Sequence, residues 1–166
     1  RLLSRGLGDV YKRQHIYGTN SDEWQNEVNI FSDFLSRMLK IDSNRYTCIT
    51  ADHGVVNIED QNKYRLKYDE SVKIYGDQRA VYINGEVEKI EKVFKNVPGY
   101  FLEKEEIISL LGTPTNEDIK NFYPEQIFLL DDGNIIFPNH LSANLKGYHG
   151  GISKTEVSIP LIEIIN

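Results

Sequence analysis

The sequence predicts an α/β chain with a mixed α+β excursion, and three observations support this fold class. An apolar stripe at three- and four-residue steps begins at Trp24 and favours a long helix that ends near Lys40. The short apolar run Tyr46–Thr50 then favours a strand. Between about residues 55 and 148, shorter segments of both kinds alternate without an internal repeat, which indicates an α+β region placed between two parts of an α/β core.

The first helix and the first strand are predicted from local signals. Ser21 can cap the helix, and the acidic residues that follow lie at the positive end of the helix dipole. The strand Tyr46–Thr50 has little polarity, as expected of a central strand covered on both faces, so Cys48 is predicted to be a core residue. One face of the helix is expected to be buried, with Trp24, Val28, Phe31, Phe34, Leu35, Met38 and Leu39.

Within the excursion, the first elements are a hairpin and a helix. Ser71–Tyr75 and Arg79–Ile83 are predicted strands joined by a turn at Gly76-Asp77. Residues 55–68 are polar and are expected to form a loop. An amphipathic helix is predicted over Glu86–Lys95, with its inward positions at Val87, Ile90, Val93 and Phe94.

The later elements follow from turn and capping signals. Asp131-Asp132-Gly133 predicts a second hairpin between Gln126–Leu130 and Asn134–Phe137. Pro160 interrupts a C-terminal strand over Val157–Ile164 and is expected to mark its start or a bend. The elements between the hairpins are a strand at Tyr100–Leu102, a helix at Glu105–Leu111 ended by Gly112, and a short helix that starts after Thr115.

The composition excludes several classes of protein. The chain has 166 residues, 27% of them charged and 40% hydrophobic, as in a globular domain. No apolar run approaches the roughly 18 residues of a membrane span, so no membrane segment is predicted in this sequence. The net charge of −6 argues against duplex nucleic acid as a partner, because such binding needs a basic surface. The single cysteine excludes an internal disulfide and a cysteine-based zinc cluster.

Residues 1–14 are interpreted as a translated sequencing adapter. Residues 9–14 read Asp-Val-Tyr-Lys-Arg-Gln, which is the translation of a DNA segment that resembles a transposase mosaic-end adapter. The chain begins with Arg1, and no apolar stretch of about 7–15 residues follows, as a secretory leader would require. Residues 15–166 are then expected to be the C-terminal portion of a longer catalytic domain.

Two loops carry residues that can bind a cation. Asp52 and His53 follow the carboxyl end of the first strand, which is where ligands bind in open α/β sheets. Because the two residues are adjacent, they can supply a carboxylate oxygen and an imidazole nitrogen to one metal ion. Gly54 permits the sharp turn that follows. On the residues alone, an Asx-turn beside an exposed histidine stays open as an alternative. His149 lies in the second loop, among glycines. For this residue too an alternative stays open, namely a glycine-rich surface loop in which the histidine has no role.

Together with the segment His15-Ile16-Tyr17-Gly18, these loops resemble blocks of the alkaline phosphatase superfamily. The segments that carry the resemblance are Thr50-Ala51-Asp52-His53-Gly54 and His149-Gly150-Gly151 with Ser153, Glu156 and Pro160. Their order and spacing look most like the type I phosphodiesterase/nucleotide pyrophosphatase branch, over about residues 15–166. The resemblance implies the C-terminal part of an alkaline-phosphatase-like sheet sandwiched by helices, with the α+β excursion inserted between the metal-binding loops.

The resemblance also implies a metal-dependent phosphoric ester hydrolase with two divalent ions and a phospho-enzyme intermediate. Asp52 and His53 would bind one ion, and His149 and His15 the other; zinc suits these donors, and manganese stays open. The family places an aspartate where this chain has Tyr11, and its nucleophile lies upstream, so the resemblance implies that no catalytic nucleophile is to be expected in this chain. The fragment is expected to be inactive, and the whole protein to act on a small phosphate ester or nucleotide.

Three other functions stay open within the same resemblance. A phosphomutase shares the Thr-Ala-Asp-His-Gly block but has a different late histidine context. A sulfatase would require a formylglycine precursor upstream. A non-catalytic phosphatase-like binding module, for instance in a defence system, would keep the fold and lose ligands. His140 matches no ligand position and is expected to be a loop or surface residue.

Overall fold

A computed structural model of the chain describes residues 13–41, 46–137 and 144–165. His140 lies outside the described residues, and so does the predicted adapter except for Arg13 and Gln14. These two residues belong to a helical segment, residues 13–17. The interpretation of residues 1–14 as an adapter stays a prediction.

Helices and strands alternate along the described residues, which confirms the α/β fold class. A short 3₁₀ turn, Asp60–Asn62, precedes the third strand. In chain order the elements are α1 (Asp22–Ile41), β1 (Tyr46–Thr50), β2 (Val56–Asn57), β3 (Lys63–Arg65), β4 (Val72–Gly76), β5 (Ala80–Gly85), α2 (Val87–Phe94), β6 (Gly99–Phe101), α3 (Lys104–Leu111), α4 (Glu117–Phe122), β7 (Gln126–Leu130), β8 (Ile135–Phe137), β9 (Gly147–Tyr148), α5 (Lys154–Val157) and β10 (Leu161–Ile165).

Contacts divide the chain into two units. The first comprises residues 1–58, 144–149 and 153–166, and the second comprises residues 59–143 and 150–152. The second unit is close in extent to the excursion expected between residues 55 and 148. Whether it is an insertion or a cap in the longer protein stays a prediction.

In the first unit, α1 begins as predicted, but none of the seven residues of its predicted apolar face is buried, and four of them, Trp24, Leu35, Met38 and Leu39, are half-buried. The Ser21 hydroxyl oxygen accepts a hydrogen bond from the Trp24 amide at 3.1 Å, as an N-cap does. The expectation of a buried face is wrong, because no described element makes an extended contact with this helix. The apolar residues that are at least 40% exposed are Val28, Ile30, Phe31 and Phe34.

The strand β1 is an exposed strand rather than a central one. It pairs antiparallel with β10, with Thr50 opposite Leu161, and its residues alternate between exposed and half-buried. Cys48 is exposed, so its prediction as a core residue is wrong. The physical reason is that β10 is the one strand paired with β1 in the described part of the chain. β10 begins directly after Pro160, as predicted, whereas Val157 ends the short helix α5.

The second unit contains a four-stranded antiparallel sheet in the order β4-β5-β7-β6. The predicted hairpin is confirmed: β4 pairs with β5, and Tyr75 lies opposite Tyr82. Successive side chains along each strand point to opposite sides of the sheet, so both of its faces carry apolar residues. One face packs on α2 through Val81, Ile83, Ile90, Phe94, Phe128 and Leu130, and the other packs on α3 through Ile107, Ile127 and Leu129.

The second predicted hairpin does not form. The turn itself is present, since the Asn134 amide donates to the Asp131 carbonyl at 3.2 Å. However, β7 is already paired on both edges, with β5 and with β6, so β8 has no edge of β7 to join. It pairs in parallel with β3 instead, with Tyr64 opposite Ile136. The strands β2 and β3 lie in the segment 55–68 that was expected to be a loop.

The helices of the second unit follow their predicted positions closely. Ile90 and Phe94 of α2 are buried, but Val87 is 53% exposed because the core beneath α2 does not extend under its first turn. Gly112 ends α3 with φ of +77°, and Asn116 caps α4 by accepting from the Ile119 amide at 2.9 Å. Across the described residues, no helix has both the length and the apolar character needed to cross a bilayer.

Candidate metal centre

Three histidines from distant parts of the sequence lie side by side in the first unit. The rings of His53 and His149 are stacked, with their centroids 3.7 Å apart and their planes 21° from parallel. The ring of His15 meets that of His149 edge-on, with the centroids 5.3 Å apart. The structure therefore brings together three of the four residues predicted to bind metal.

Backbone carbonyls set the orientation of two of these rings. His15, which is 7% exposed, donates from Nδ1 to the Gly147 carbonyl at 2.7 Å. His53 donates from Nδ1 to the Gly54 carbonyl at 2.7 Å. A carbonyl oxygen can only accept, so in each neutral ring the proton is on Nδ1 and the lone pair is on Nε2. This arrangement is typical of histidines that bind metal through Nε2.

Asp52 lies beside His53 at the end of β1. Its side chain is 88% exposed, and its Oδ1 atom is 3.8 Å from His53 Nε2. The same oxygen accepts a hydrogen bond from the His53 amide at 3.0 Å. The His53 side chain is only 24% exposed. The carboxylate and the imidazole nitrogen therefore lie within reach of one cation, with the carboxylate on the solvent side.

The loop that carries Asp52 and His53 rests on the segment that follows His149. The Gly54 amide donates to the Glu156 carbonyl at 2.7 Å. A Cβ atom on Gly54 would lie 1.9 Å from the Thr155 carbonyl oxygen, so a side chain cannot fit there. Ser153 and Glu156 have the spacing of a capping box, but here the Ser153 hydroxyl donates to the Glu156 carboxylate at 2.5 Å instead of accepting from a backbone amide.

The segment that carries His15 is fixed to β9. The Lys146 amide donates to the His15 carbonyl at 2.8 Å, and a Cβ atom on Gly147 would lie 2.5 Å from the Gln14 carbonyl oxygen. Backbone contact on this scale requires glycine at position 147. The adjacent helical segment also carries Arg13, whose guanidinium pairs with the buried Glu27 carboxylate at 2.9 Å.

Sequence reasoning missed Asn57, a residue of β2 that supports this centre. Its Oδ1 atom accepts a hydrogen bond from the Thr19 amide at 2.9 Å. The same atom would lie 2.8 Å from a Cβ on Gly18, which has φ of +80°. The sequence signal was the glycine after Tyr17, which marks a tight turn without indicating what packs against it.

The donor set fits a divalent transition metal. Three imidazoles and a carboxylate, without a thiolate, suit zinc and are also compatible with manganese. Among the described residues, no group of three or more His, Cys, Asp or Glu side chains is arranged around a single point. The predicted assignment asks for two ligands per ion, Asp52 with His53 and His149 with His15, and that assignment stays a prediction.

Comparison with known proteins identifies related sequences and folds. The profile of the family described as "BREX system PglZ alkaline phosphatase-like domain" matches residues 8–164, a span that begins within the predicted adapter. No curated protein matches the chain.

Solved structures share this fold at low sequence identity. Murine ectonucleotide pyrophosphatase/phosphodiesterase 5 superposes with a TM-score of 0.67 at 20% identity and covers 90% of the chain. An inactive variant of that protein, in complex with AMP, gives 0.66. Phosphonoacetate hydrolase from Sinorhizobium meliloti 1021, in complex with phosphonoacetate, gives 0.63 at 14% identity and covers 90%. The chain spans only 43% of the length of each of these proteins.

Proposed function

The chain belongs to the PglZ family of alkaline phosphatase-like domains, and from this premise we propose that the whole protein is a metal-dependent hydrolase of phosphoric esters. The proposed type is a phosphodiesterase or nucleotide pyrophosphatase. The observation that carries the proposal is the stack of His53 on His149 beside His15, because it makes imidazoles from three separate segments neighbours of one another.

The proposed ligands are divided between two divalent ions. Asp52 and His53 would hold one ion, and His149 and His15 the other. Paired catalytic ions lie about 3.5–4 Å apart, so their ligands must also be neighbours. The centroids of the His53 and His149 rings are 3.7 Å apart, which is compatible with this requirement. Zinc is the proposed metal, with manganese as the alternative.

The backbone of this chain prepares the ligands before any ion arrives. The Gly147 and Gly54 carbonyls hold the Nδ1 protons of His15 and His53, so each ring presents Nε2 as the donor atom. When bound, the divalent ions supply Lewis-acid polarisation and neutralise charge on the phosphoryl oxygens. The nucleophile that forms a phospho-enzyme intermediate is proposed to lie in a part of the protein outside this chain.

The proposed substrate is a small phosphate ester or nucleotide. The AMP complex of the murine phosphodiesterase-like relative supports a nucleotide. Phosphonoacetate, found with the bacterial hydrolase, offers a second substrate class in which a carbon–phosphorus compound replaces the ester. An assay therefore needs to separate diesters, monoesters and phosphonates.

The test compares this 166-residue chain with a longer protein that contains it. Hydrolysis of bis(p-nitrophenyl) phosphate, p-nitrophenyl phosphate and phosphonoacetate is measured with zinc, with manganese and with EDTA. We expect the longer protein to cleave the diester in a metal-dependent way and the shorter chain to be inactive. His53→Ala and His149→Ala in the longer protein should each abolish turnover, whereas His140→Ala should not.

Other outcomes decide among the alternatives. A longer protein that cleaves sulfate esters but no phosphate ester would be a sulfatase, and one that only transfers phosphate within a substrate would be a mutase. A longer protein that binds zinc through His53 and His149 but turns over none of these substrates would be a binding module. Metal-dependent turnover by the shorter chain alone would contradict the proposed location of the nucleophile.

A further inference from the structure

A cavity of about 530 Å³ lies in the second unit, well within the size range of small-molecule sites. We call it the lysine groove and define it by the cationic residues that line it together with two tyrosines: Arg65, Lys67, Lys89, Lys92, Tyr64 and Tyr68. None of these residues belongs to the candidate metal centre. The groove is therefore a separate surface whose chemistry can be examined by itself.

Part of the lining of the lysine groove is apolar and well packed. Leu66 and Val72 line it and are each 3% exposed. Val93 and Val97 also line it and pack against the core cluster that contains Leu66 and Val72. Because these side chains belong to the core of the second unit, their packing fixes the shape of this part of the groove.

The charged lining is predominantly positive. Lys89 and Lys92 are three residues apart on α2, so they lie on one face of that helix. Lys89 pairs with Glu86 at 2.9 Å, whereas Lys67 and Lys92 make no ion pair with any residue that the structure describes. In a chain with a net charge of −6, this is a local concentration of positive charge.

One acidic residue, Asp69, shares the lining. Its Oδ1 atom accepts hydrogen bonds from the Ser71 amide, at 2.8 Å, and from the Ser71 hydroxyl. These bonds, with a smaller contribution from Lys89, hold the pKa of the Asp69 carboxyl below its usual value, so it stays ionised. With the Glu86 partner of Lys89 also counted, four cationic side chains stand against two carboxylates, and the groove stays positive.

We propose that the lysine groove binds a nucleoside phosphate, either as a free nucleotide or as part of a single strand of nucleic acid. Lys67, Lys89 and Lys92 would bind the phosphate, and Tyr68, which is 37% exposed, offers an aromatic face on which a base can stack, beside the half-buried Tyr64. A positive groove combined with aromatic side chains is how proteins bind single-stranded nucleic acid without reading its sequence. An acidic peptide would use the cations but not the tyrosines.

The test measures binding to the 166-residue chain fused to a solubility partner, with that partner alone as a blank. Fluorescence anisotropy of a labelled short oligothymidylate is followed in EDTA, so that ions bound at the candidate metal centre do not contribute. Unlabelled AMP, inorganic phosphate, adenosine and polyglutamate serve as competitors. The main variant is the double substitution Lys89→Glu with Lys92→Glu. Its matched control is Lys104→Glu with Lys120→Glu, which changes the net charge equally on α3 and α4.

We expect the main variant to weaken binding about tenfold or more, and the control to leave it nearly unchanged. Tyr68→Leu should weaken binding at least about fivefold through loss of stacking. Competition by AMP would identify a free nucleotide as a ligand, and competition by the oligothymidylate alone would identify a single strand. Circular dichroism melts of each variant confirm that folding is intact.

Three results would overturn the proposal. One is the absence of binding by both the oligothymidylate and AMP. Another is equal weakening by the main variant and its control, which would indicate attraction by overall charge. The third is competition by polyglutamate as strong as that by the oligothymidylate, with no effect of Tyr68→Leu, which would indicate an acidic peptide.

Discussion

Gly54 and Thr155 approach so closely that a Cβ atom on Gly54 would lie 1.9 Å from the Thr155 carbonyl oxygen. This contact joins the loop of Asp52 and His53 to the segment that follows His149. The relative position of the two proposed pairs of metal ligands therefore depends on the absence of a single methyl group.

Gly54→Ala is expected to weaken zinc binding by the chain. The added methyl must push apart the two loops, and overpacking of this kind costs about 1–3 kcal/mol. Isothermal titration with zinc measures the effect. The control is Gly112→Ala in the second unit. Gly112 has φ of +77° and open space around it, so this substitution also strains the backbone, but at a position far along the chain from the proposed metal ligands. Equal zinc affinity in wild type and Gly54→Ala would contradict the prediction.

Arg79→Met is expected to destabilise the second unit. The Arg79 side chain is fully buried and donates to the Asn134 carbonyl at 2.5 Å, so its removal leaves a buried acceptor without this donor. The expected loss is about 1–3 kcal/mol of unfolding free energy, measured by urea denaturation.

The control for this substitution is Asp132→Asn. The Asp132 carboxylate is 78% exposed and lies 3.7 Å from the buried Arg79 guanidinium, too far for a hydrogen bond, so the pair is weak. Its loss is expected to cost less than about 1 kcal/mol. If the two substitutions had the same effect, the ion pair rather than the buried hydrogen bond would be the stabilising contact.

Replacement of Phe31 and Phe34 by glutamine is expected to reduce aggregation of the chain without lowering its melting temperature. Both side chains are 40% exposed on α1, and exposed apolar patches promote association. Static light scattering and a thermal melt measure the two quantities. Ile90→Gln, at a fully buried position of α2, is the contrasting variant and should unfold the second unit. A lower melting temperature for the phenylalanine variant would show that these residues are packed.

Ser71→Ala is expected to raise the pKa of the Asp69 carboxyl. The Ser71 hydroxyl is the largest cause of the lowered pKa, followed by the Ser71 amide, which the variant keeps. Because the folded pKa lies below the unfolded one, this interaction stabilises the fold above the unfolded pKa and is lost as pH falls through the folded pKa. NMR titration of the Asp69 carboxyl carbon measures the shift, and an unchanged pKa would exclude the hydroxyl as its cause.

The elements that the sequence predicted correctly are those with local signals. Ser21 and Asn116 cap their helices, Gly112 ends one, and the Gly76-Asp77 turn forms its hairpin. Each of these depends on residues within one or two turns of the chain. Such signals do not depend on what packs against the element, so they can be recognised from the sequence without knowledge of the tertiary structure.

The predictions that failed required knowledge of distant partners. The apolar stripe of α1 and the apolar run around Cys48 predicted burial, but burial also needs a covering element, which the described residues do not supply. The Asp131-Asp132-Gly133 turn formed without its hairpin because β5 and β6 already occupy both edges of β7. The histidines were identified through a family resemblance, and their proximity could not be derived from spacing alone.

The short strands β2 and β9 have a consequence for the modularity of the chain. Val56 pairs with Tyr148 in antiparallel register, and the Ile58 amide donates to the Lys146 carbonyl at 2.8 Å, so residues 59–143 of the second unit begin and end next to two hydrogen-bonded strands. Neighbouring antiparallel strands can be joined by a tight turn of about two residues. A turn of this kind can therefore replace the segment between β2 and β9 and leave His53 and His149 on a minimal scaffold. At the same place, evolution or an engineer can exchange one intervening segment for another.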